Sequence, residues 1–234
     1  MNFELSGKVA IVTGASRGIG RAIAETLAAE GMNLTVAARS REPLDDLAGS
    51  VKTQSLVQAV DLRGPDVPAA VIAATVARFG RLDLLVNNAG AAKRGNFLDL
   101  SDADWDDGYR LKFFGAMRCA RAAWPHLQKS GGSIINIVGI GGRTGTAEFT
   151  IGGTVNAALL NLTKCLADRG IQDGVRVNAI NPGSIATKRL QARLRSFAAE
   201  RGVDVRAAEQ EMAKAFKIAR FGEPAEIARV VAFL

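Results

Sequence analysis

The run Thr13-Gly14-Ala15-Ser16-Arg17-Gly18-Ile19-Gly20 carries the clearest chemical signal in the chain. It leaves a short apolar stretch and enters a helical pattern directly. Glycines at 14, 18 and 20 allow a tight turn, a close approach of backbone to pyrophosphate and close helix packing. The free N–H groups and positive dipole of a helix start suit phosphate oxygens. The spacing Gly-x3-Gly-x-Gly differs from the commoner dinucleotide fingerprint, and a glycine turn by itself only closes a strand. The strand–turn–helix setting makes it a nucleotide site. Groups for proton transfer are few. The chain has one tyrosine, Tyr109, and one histidine, His126, which follows Pro125 near the end of a long helical stretch and is given no role.

These residues need a frame, and the hydrophobic pattern supplies one. Strand-like runs at Val9–Thr13, Leu34–Ala38, Ser55–Val60, Leu84–Asn87, Ser133–Val138 and Arg176–Ile180 are short, apolar and rich in β-branched residues. Strands buried on both faces read this way. Amphipathic helical stretches alternate with them, clearest at Gly18–Glu30, Val67–Phe79, Asp102–Gln128 and Thr154–Ala167. The rhythm implies an α/β, Rossmann-type, doubly wound parallel sheet in three layers, with right-handed crossovers. At 234 residues the chain suits a single domain. Thr187–Ala219 forms a helical insert after the sixth strand, where a lid over a substrate would lie. The chain stops at Leu234 inside a helical pattern, where a last strand is expected but missing.

Four motifs fall in a familiar order: Thr13–Gly20, Asp61-Leu62, Asn87-Asn88-Ala89-Gly90, and Asn181-Pro182-Gly183 with Thr187. In order and spacing they resemble the short-chain dehydrogenase/reductase family, from Leu5 to the final helix. The resemblance implies that Asp61 and Leu62 contact an adenine and that the Asn87–Gly90 turn, with Asn88, Ala89 and Gly90, supports the cofactor and the central sheet. It implies that Pro182, Gly183 and Thr187 flank a nicotinamide, and that the protein forms a homodimer or homotetramer through Asp102–Gln128 and Thr154–Ala167. The Asn-Asn-Ala-Gly turn also serves as an ordinary strand terminator.

The end of the second strand sets the cofactor. An NAD(H) site places a carboxylate there for the ribose 2′-hydroxyl. This chain has Ala37-Ala38-Arg39-Ser40-Arg41, with Arg39 at that position and Arg17 in the glycine loop. Guanidinium groups offer a 2′-phosphate charged, forked donors, so NADP(H) is expected over NAD(H).

The family's catalytic residues, by resemblance, are an Asn on the long helix, a Ser after the fifth strand and a Tyr-x3-Lys on the next helix. Counting from flanking motifs places these roles at Lys112, Gly139, Gly152 and Asn156. All four differ from the family pattern. Lys112 and Asn156 read either as a cation and an amide that exchanged sides or as independent drift. Gly152 and Gly153 weaken a helix start by roughly 1 kcal/mol each relative to alanine, and loss of a phenol there predicts a widened pocket. Tyr109, three residues before Lys112, is expected on the same helix face as the spare phenol. Glu148, Thr150 and Thr154 lie nearby but are weak proton donors.

Composition narrows the partners. Cys119 and Cys165 lack paired spacing and read as small core residues, with no disulfide framework and no metal site expected. The start, Met1–Leu5, carries a glutamate and runs into a strand, unlike a secretory leader. No apolar run reaches the ~18 residues of a membrane span, so a cytoplasmic protein away from membranes is expected. Net charge is +7, and Ala186–Arg220 holds nine Lys/Arg against four Asp/Glu. That segment lacks interleaved aromatics, so no nucleic-acid partner is expected. It reads either as a solvated face or as a field for an anionic small-molecule substrate, with Lys188, Arg189 and Arg193 at a pocket mouth. Three functions stay open: an NADP(H)-dependent oxidoreductase acting on a carbonyl or alcohol with a non-standard acid–base site, a cofactor-binding protein without redox chemistry, and a non-redox enzyme on the same scaffold.

Overall fold

In the computed structural model, which describes residues 3–234, six parallel strands make one sheet. They are β1 (Val9–Thr13), β2 (Asn33–Ala38), β3 (Ser55–Ala59), β4 (Leu84–Asn87), β5 (Ser133–Ile137) and β6 (Arg176–Ile180). Their order is β3-β2-β1-β4-β5-β6. The register runs Val12↔Val36 between β1 and β2, and Val12↔Val86 between β1 and β4. The order reverses between β1 and β4, and a parallel sheet opens a crevice at the carboxyl ends of the strands on either side of such a switch.

Nine α-helices are seen among the described residues: α1 (Gly18–Ala29), α2 (Arg41–Ser50), α3 (Val67–Phe79), α4 (Asp102–Gly108), α5 (Gly115–Ser130), α6 (Thr150–Asp173), α7 (Lys188–Arg201), α8 (Val205–Ala215) and α9 (Pro224–Phe233). Side chains alternate across a strand, so β1 sends Ala10 and Val12 to one face and Ile11 to the other. The first face buries Ile23, Ala24 and Leu27 of α1, Leu44 and Leu47 of α2, and Ala228 and Val231 of α9. The second buries Val71 and Ile72 of α3 and Cys119, Ala123 and Leu127 of α5. Each fully buried Ile or Leu contributes roughly 1.5–3 kcal/mol. The three-layer architecture is therefore as the alternating pattern predicts. Among the described residues no helix is long and apolar enough to cross a membrane.

The structure departs from the sequence reading in four places. Helix α2 was not anticipated, because only Leu44 and Leu47 carry its apolar stripe. The expected continuous helix over Asp102–Gln128 is broken by a π-helical turn, Tyr109–Phe114. Gly108 and Gly115 bracket that turn and are buried. A side chain at Gly108 would meet Ile151 Cγ2 at 2.5 Å, so the helices touch only because it is absent. Helix α6 is longer than Thr154–Ala167 at both ends. Cys165 is exposed rather than a core residue; Cys119 is buried.

A buried polar chain fixes the sheet against α6. Asn87 Nδ2 donates to Asn136 Oδ1 at 2.9 Å, Asn136 Nδ2 to Thr163 Oγ1 at 2.9 Å, and Thr163 Oγ1 to the Leu159 carbonyl at 2.7 Å. Buried chains of hydrogen bonds of this kind favour one arrangement of the elements that share them, although the Asn87 Oδ1 at its end has no partner among the described residues. Beyond β6, α7 and α8 pack around a small core of their own: Leu190, Leu194, Met212 and Phe221.

Candidate active site

The glycine loop is shaped by what its backbone approaches. Gly14 has φ +67° and Gly18 φ +58°, both in the left-handed region. A Cβ on Gly14 would lie 2.9 Å from Asn88 Nδ2 and from Ala89 Cα, and one on Gly20 would lie 2.3 Å from Asn88 Nδ2. Asn88 uses that space, donating through Nδ2 to the Thr13 carbonyl at 2.9 Å and the Gly14 carbonyl at 3.1 Å. Thr13 Oγ1 donates to the Val86 carbonyl and accepts from the N–H groups of Asn88 and Ala89. The loop after β1 and the turn after β4 are thus locked together across the switch point.

The arrangement fits a dinucleotide. Helix α1 begins after Arg17 without a side-chain cap, leaving its first-turn N–H groups for an anion. Ser16 and Ile19 lie in the same loop, and Thr187 reaches it from the far side, its Cγ2 3.4 Å from a Cβ on Gly18. Pro182 and Gly183 precede Thr187 on the loop after β6. Arg17 and Arg39 are both exposed, Arg39 directly after β2. Asp61 and Leu62 follow β3; Leu62 is buried, and Asp61 accepts from Arg63, which also clamps Asp107. Arg63 was not singled out from the sequence.

Lys112 sits on the π-helical turn, and its stem runs over Gly90, where a Cβ would meet Lys112 Cδ at 2.9 Å. Its Nζ donates to the Val138 carbonyl. Burial, then the charge of Arg189, pushes the ammonium down to about 8. Asn156 is buried and reaches the neighbouring carbonyl, its Nδ2 3.5 Å from Gly139 O. Lys112 and Asn156 therefore grasp consecutive carbonyls of the loop after β5 from opposite helices. Asn156 Oδ1 is buried and has no partner.

Two expectations about this corner need correction. The pocket predicted at Gly152 is not empty: a Cβ there would lie 1.9 Å from Phe149 Cζ, so the Phe149 ring already fills the space. Phe149 precedes α6 by one residue, and Arg94 stacks on it with Cζ 4.1 Å from the ring centroid. Neither residue had a periodic or motif signal to mark it. Tyr109 does not share a face with Lys112. The wider π turn carries i+4 rather than i+3 towards the same side, and the Tyr109 ring meets Phe113 edge-on at 6.2 Å. Gly139 itself has φ +122°, ψ 145°, a conformation nearly exclusive to glycine.

Comparison with known proteins bears on the fold and the family. The family model for short chain dehydrogenases matches residues 8–196. The chain is 36% identical to "Oxidoreductase UcpA" of Escherichia coli K12, over 99% of this chain and 88% of that protein. It is 34% identical to a 3-oxoacyl-[acyl-carrier-protein] reductase, FabG, of Staphylococcus aureus, over 97% and 90% of the two chains. Among solved structures, L-sorbose reductase from Gluconobacter frateurii, complexed with NADPH and L-sorbose, superposes with a TM-score of 0.94 at 34% identity, over 100% of this chain and 91% of that one. With the switch-point loop, the sheet order and these matches in agreement, the chain belongs to the short-chain dehydrogenase family.

Proposed function

We propose that this protein is an NADP(H)-dependent oxidoreductase that interconverts a carbonyl and an alcohol, with Lys112 as its proton-carrying group. The observation that carries the reading is the position of Lys112: its ammonium lies against the loop after β5, with its pKa lowered to about 8. A general acid works best with a pKa near the operating pH. Gly14, Gly18, Gly20, Asn88, Ala89 and Gly90 would hold the dinucleotide, and Arg17 and Arg39 its 2′-phosphate. Bound there, the nicotinamide supplies or accepts hydride at the substrate carbon. In reduction the Lys112 ammonium gives its proton to the carbonyl oxygen; in oxidation the neutral amine takes the proton from the hydroxyl. The Asn156 amide steadies the loop that receives Lys112 and offers a free buried acceptor.

The roles at Lys112, Gly139, Gly152 and Asn156 replace the family's usual four, on this reading. The Phe149 ring favours a second reading, a cofactor-binding protein without turnover, because it occupies the place a catalytic side chain would use. Two measurements separate them. Calorimetric titration should give at least tenfold tighter binding of NADPH than NADH, since charged hydrogen bonds contribute roughly 1.5–3 kcal/mol; Arg39→Asp should erase the difference. Equal affinities in the parent protein would overturn the cofactor assignment. Steady-state assay with NADPH and activated ketones should show Lys112→Met slower by about 10²-fold or more, and Tyr109→Phe close to the parent. The parent's reduction rate should fall above pH 8 as the ammonium is lost. Absence of turnover across a broad carbonyl panel would favour the second reading.

A further inference from the structure

We propose that Arg63 is a positioning residue for the proton-transfer site: from the loop after β3 it clasps both ends of the π-helical turn and so holds Lys112 against the Val138 carbonyl. The inference deepens the reading of Lys112 as the proton-carrying group and rests on it.

The turn Tyr109–Phe114 carries Lys112 and joins α4 to α5. π-Helical turns are rare, and this one is fastened from outside at each end. At its start, Arg63 Nε donates to Asp107 Oδ1 at 2.5 Å and Arg63 Nη2 to Asp107 Oδ2 at 2.9 Å. Such a forked pair fixes the carboxylate in direction as well as distance. Gly108, between Asp107 and the turn, bears on Ile151 of α6. At the other end, Arg118 of α5 brings Nη1 to 3.5 Å from the Arg63 carbonyl oxygen, with its Cζ 5.3 Å from the Phe114 ring centroid. A Cβ on Gly115 would lie 3.5 Å from the Leu62 carbonyl oxygen, so the loop after β3 also packs on this end. Within the turn, Leu111 packs against the core cluster that holds the buried Leu62.

The clasp acts from a fixed point because Arg63 is itself held. Its Nη1 donates to both oxygens of Asp61 at 3.2 and 3.3 Å, and its backbone N–H to Asp61 Oδ1 at 3.1 Å. The Gly64 N–H closes the loop on the Asp61 carbonyl at 3.2 Å. The Arg63 side chain is 20% exposed, so salt screens its pairs less than it screens surface ones. Hydrogen bonding from Arg63 holds the Asp107 carboxyl below the usual carboxylate range. Lys112 is the residue with most to lose from a loose turn, because its ammonium has exchanged water for a protein carbonyl. Slackening the turn lets water return, which favours the charged form. Loss of the clasp therefore moves Lys112 in one direction, from about 8 towards the ~10.4 of an exposed lysine. A lysine at position 63 supplies a point charge without the fork, so it is an incomplete substitute.

Two measurements that need no turnover test the proposal. Acylation by acetic anhydride from pH 6 to pH 11, read by mass spectrometry, gives the titration midpoint of Lys112. Hydrogen exchange gives the opening of the turn. In Arg63→Gln and in the milder Asp107→Asn, peptides spanning Tyr109–Phe114 should exchange about tenfold faster than in the parent, the loss expected for a charged hydrogen bond. Strands β1 and β4 should exchange as before, which also shows that the variants are folded. The Lys112 midpoint should rise by about one pH unit or more in both variants, with Arg63→Lys in between. Unchanged exchange in the turn overturns the clasp. Faster exchange with an unchanged Lys112 midpoint makes Arg63 a structural fastening only, and the positioning role falls. A parent Lys112 that already titrates near ~10.4 overturns the proton-transfer reading instead. The clasp then stands only if the variants change both the exchange of the turn and the acylation rate of Lys112.

Discussion

Lys112 holds a positive charge where the surroundings disfavour one, and that makes it the residue to interrogate first. Its folded pKa of about 8 lies below the ~10.4 of an unfolded lysine. Between those values the unfolded chain holds a proton that the folded chain lacks, so stability rises with pH across that window. The cost is fully present below pH 8, is on the order of 3 kcal/mol, and disappears above about pH 10.4. Lys112→Met lacks this dependence. Denaturant unfolding of both proteins at pH 7 and pH 10 should show the stability difference moving by a few kcal/mol in favour of the parent at the higher pH. A constant difference would place the ammonium in water. The proposed proton-transfer role gives a reason for a lysine buried at such a cost. Gly90 matters for the same reason: only a residue without a side chain leaves room for the lysine stem.

At the scale of elements, backbone shapes the candidate site as much as side chains do. The π-helical turn Tyr109–Phe114 inserts residues between two glycines and turns Tyr109 towards Phe113. The loop after β5 passes through Gly139 at φ +122°, where a serine would be strained by roughly 1–3 kcal/mol. If the proposed assignment of the four catalytic positions holds, installing the family's residues by Lys112→Asn, Gly139→Ser, Gly152→Tyr and Asn156→Lys meets two obstacles, the Gly139 backbone and the Phe149 ring. A version that keeps Gly139 and adds Phe149→Ala removes both. This variant, with Lys112→Asn, Gly152→Tyr and Asn156→Lys, should fold and reduce activated ketones faster than the four-residue replacement. The gain available to a positioned acid is 10²- to 10⁴-fold. Thermal unfolding and ketone assays on the two proteins together check it. A four-residue variant as stable and as fast as the one lacking Phe149 would show that the ring yields freely, and the Phe149 account of the site would fail.

Across the whole molecule, the framework was legible because buried parallel strands leave continuous apolar runs, and the six runs lie within a residue of the observed strands. The glycine loop was legible because each glycine answers a local demand for space or positive φ. The corner around Lys112 was not, because Phe149 and Arg94 act through a loop and a stacking contact that no period or motif records, and because a π turn changes which residues share a face. Charge distribution is a third kind of information, visible as a sum but not as a place. The chain carries +7 overall, and Arg17 and Arg39 stand exposed at the proposed 2′-phosphate position. Exposed charges are screened over about 10 Å at 0.1 M salt and about 3 Å at 1 M. The advantage of NADPH over NADH, which differ by a phosphate at the adenosine ribose, should therefore shrink as salt rises. Association should slow in parallel, because a net positive field steers anions inwards only when unscreened. Titrations of both dinucleotides at 0.05 and 0.5 M sodium chloride should show NADPH affinity falling several-fold more steeply than NADH affinity. Arg39→Asp should flatten the NADPH slope towards that of NADH. Parallel slopes in the parent protein would mean that the extra phosphate meets no exposed cation, and Arg17 and Arg39 would revert to ordinary solvated side chains.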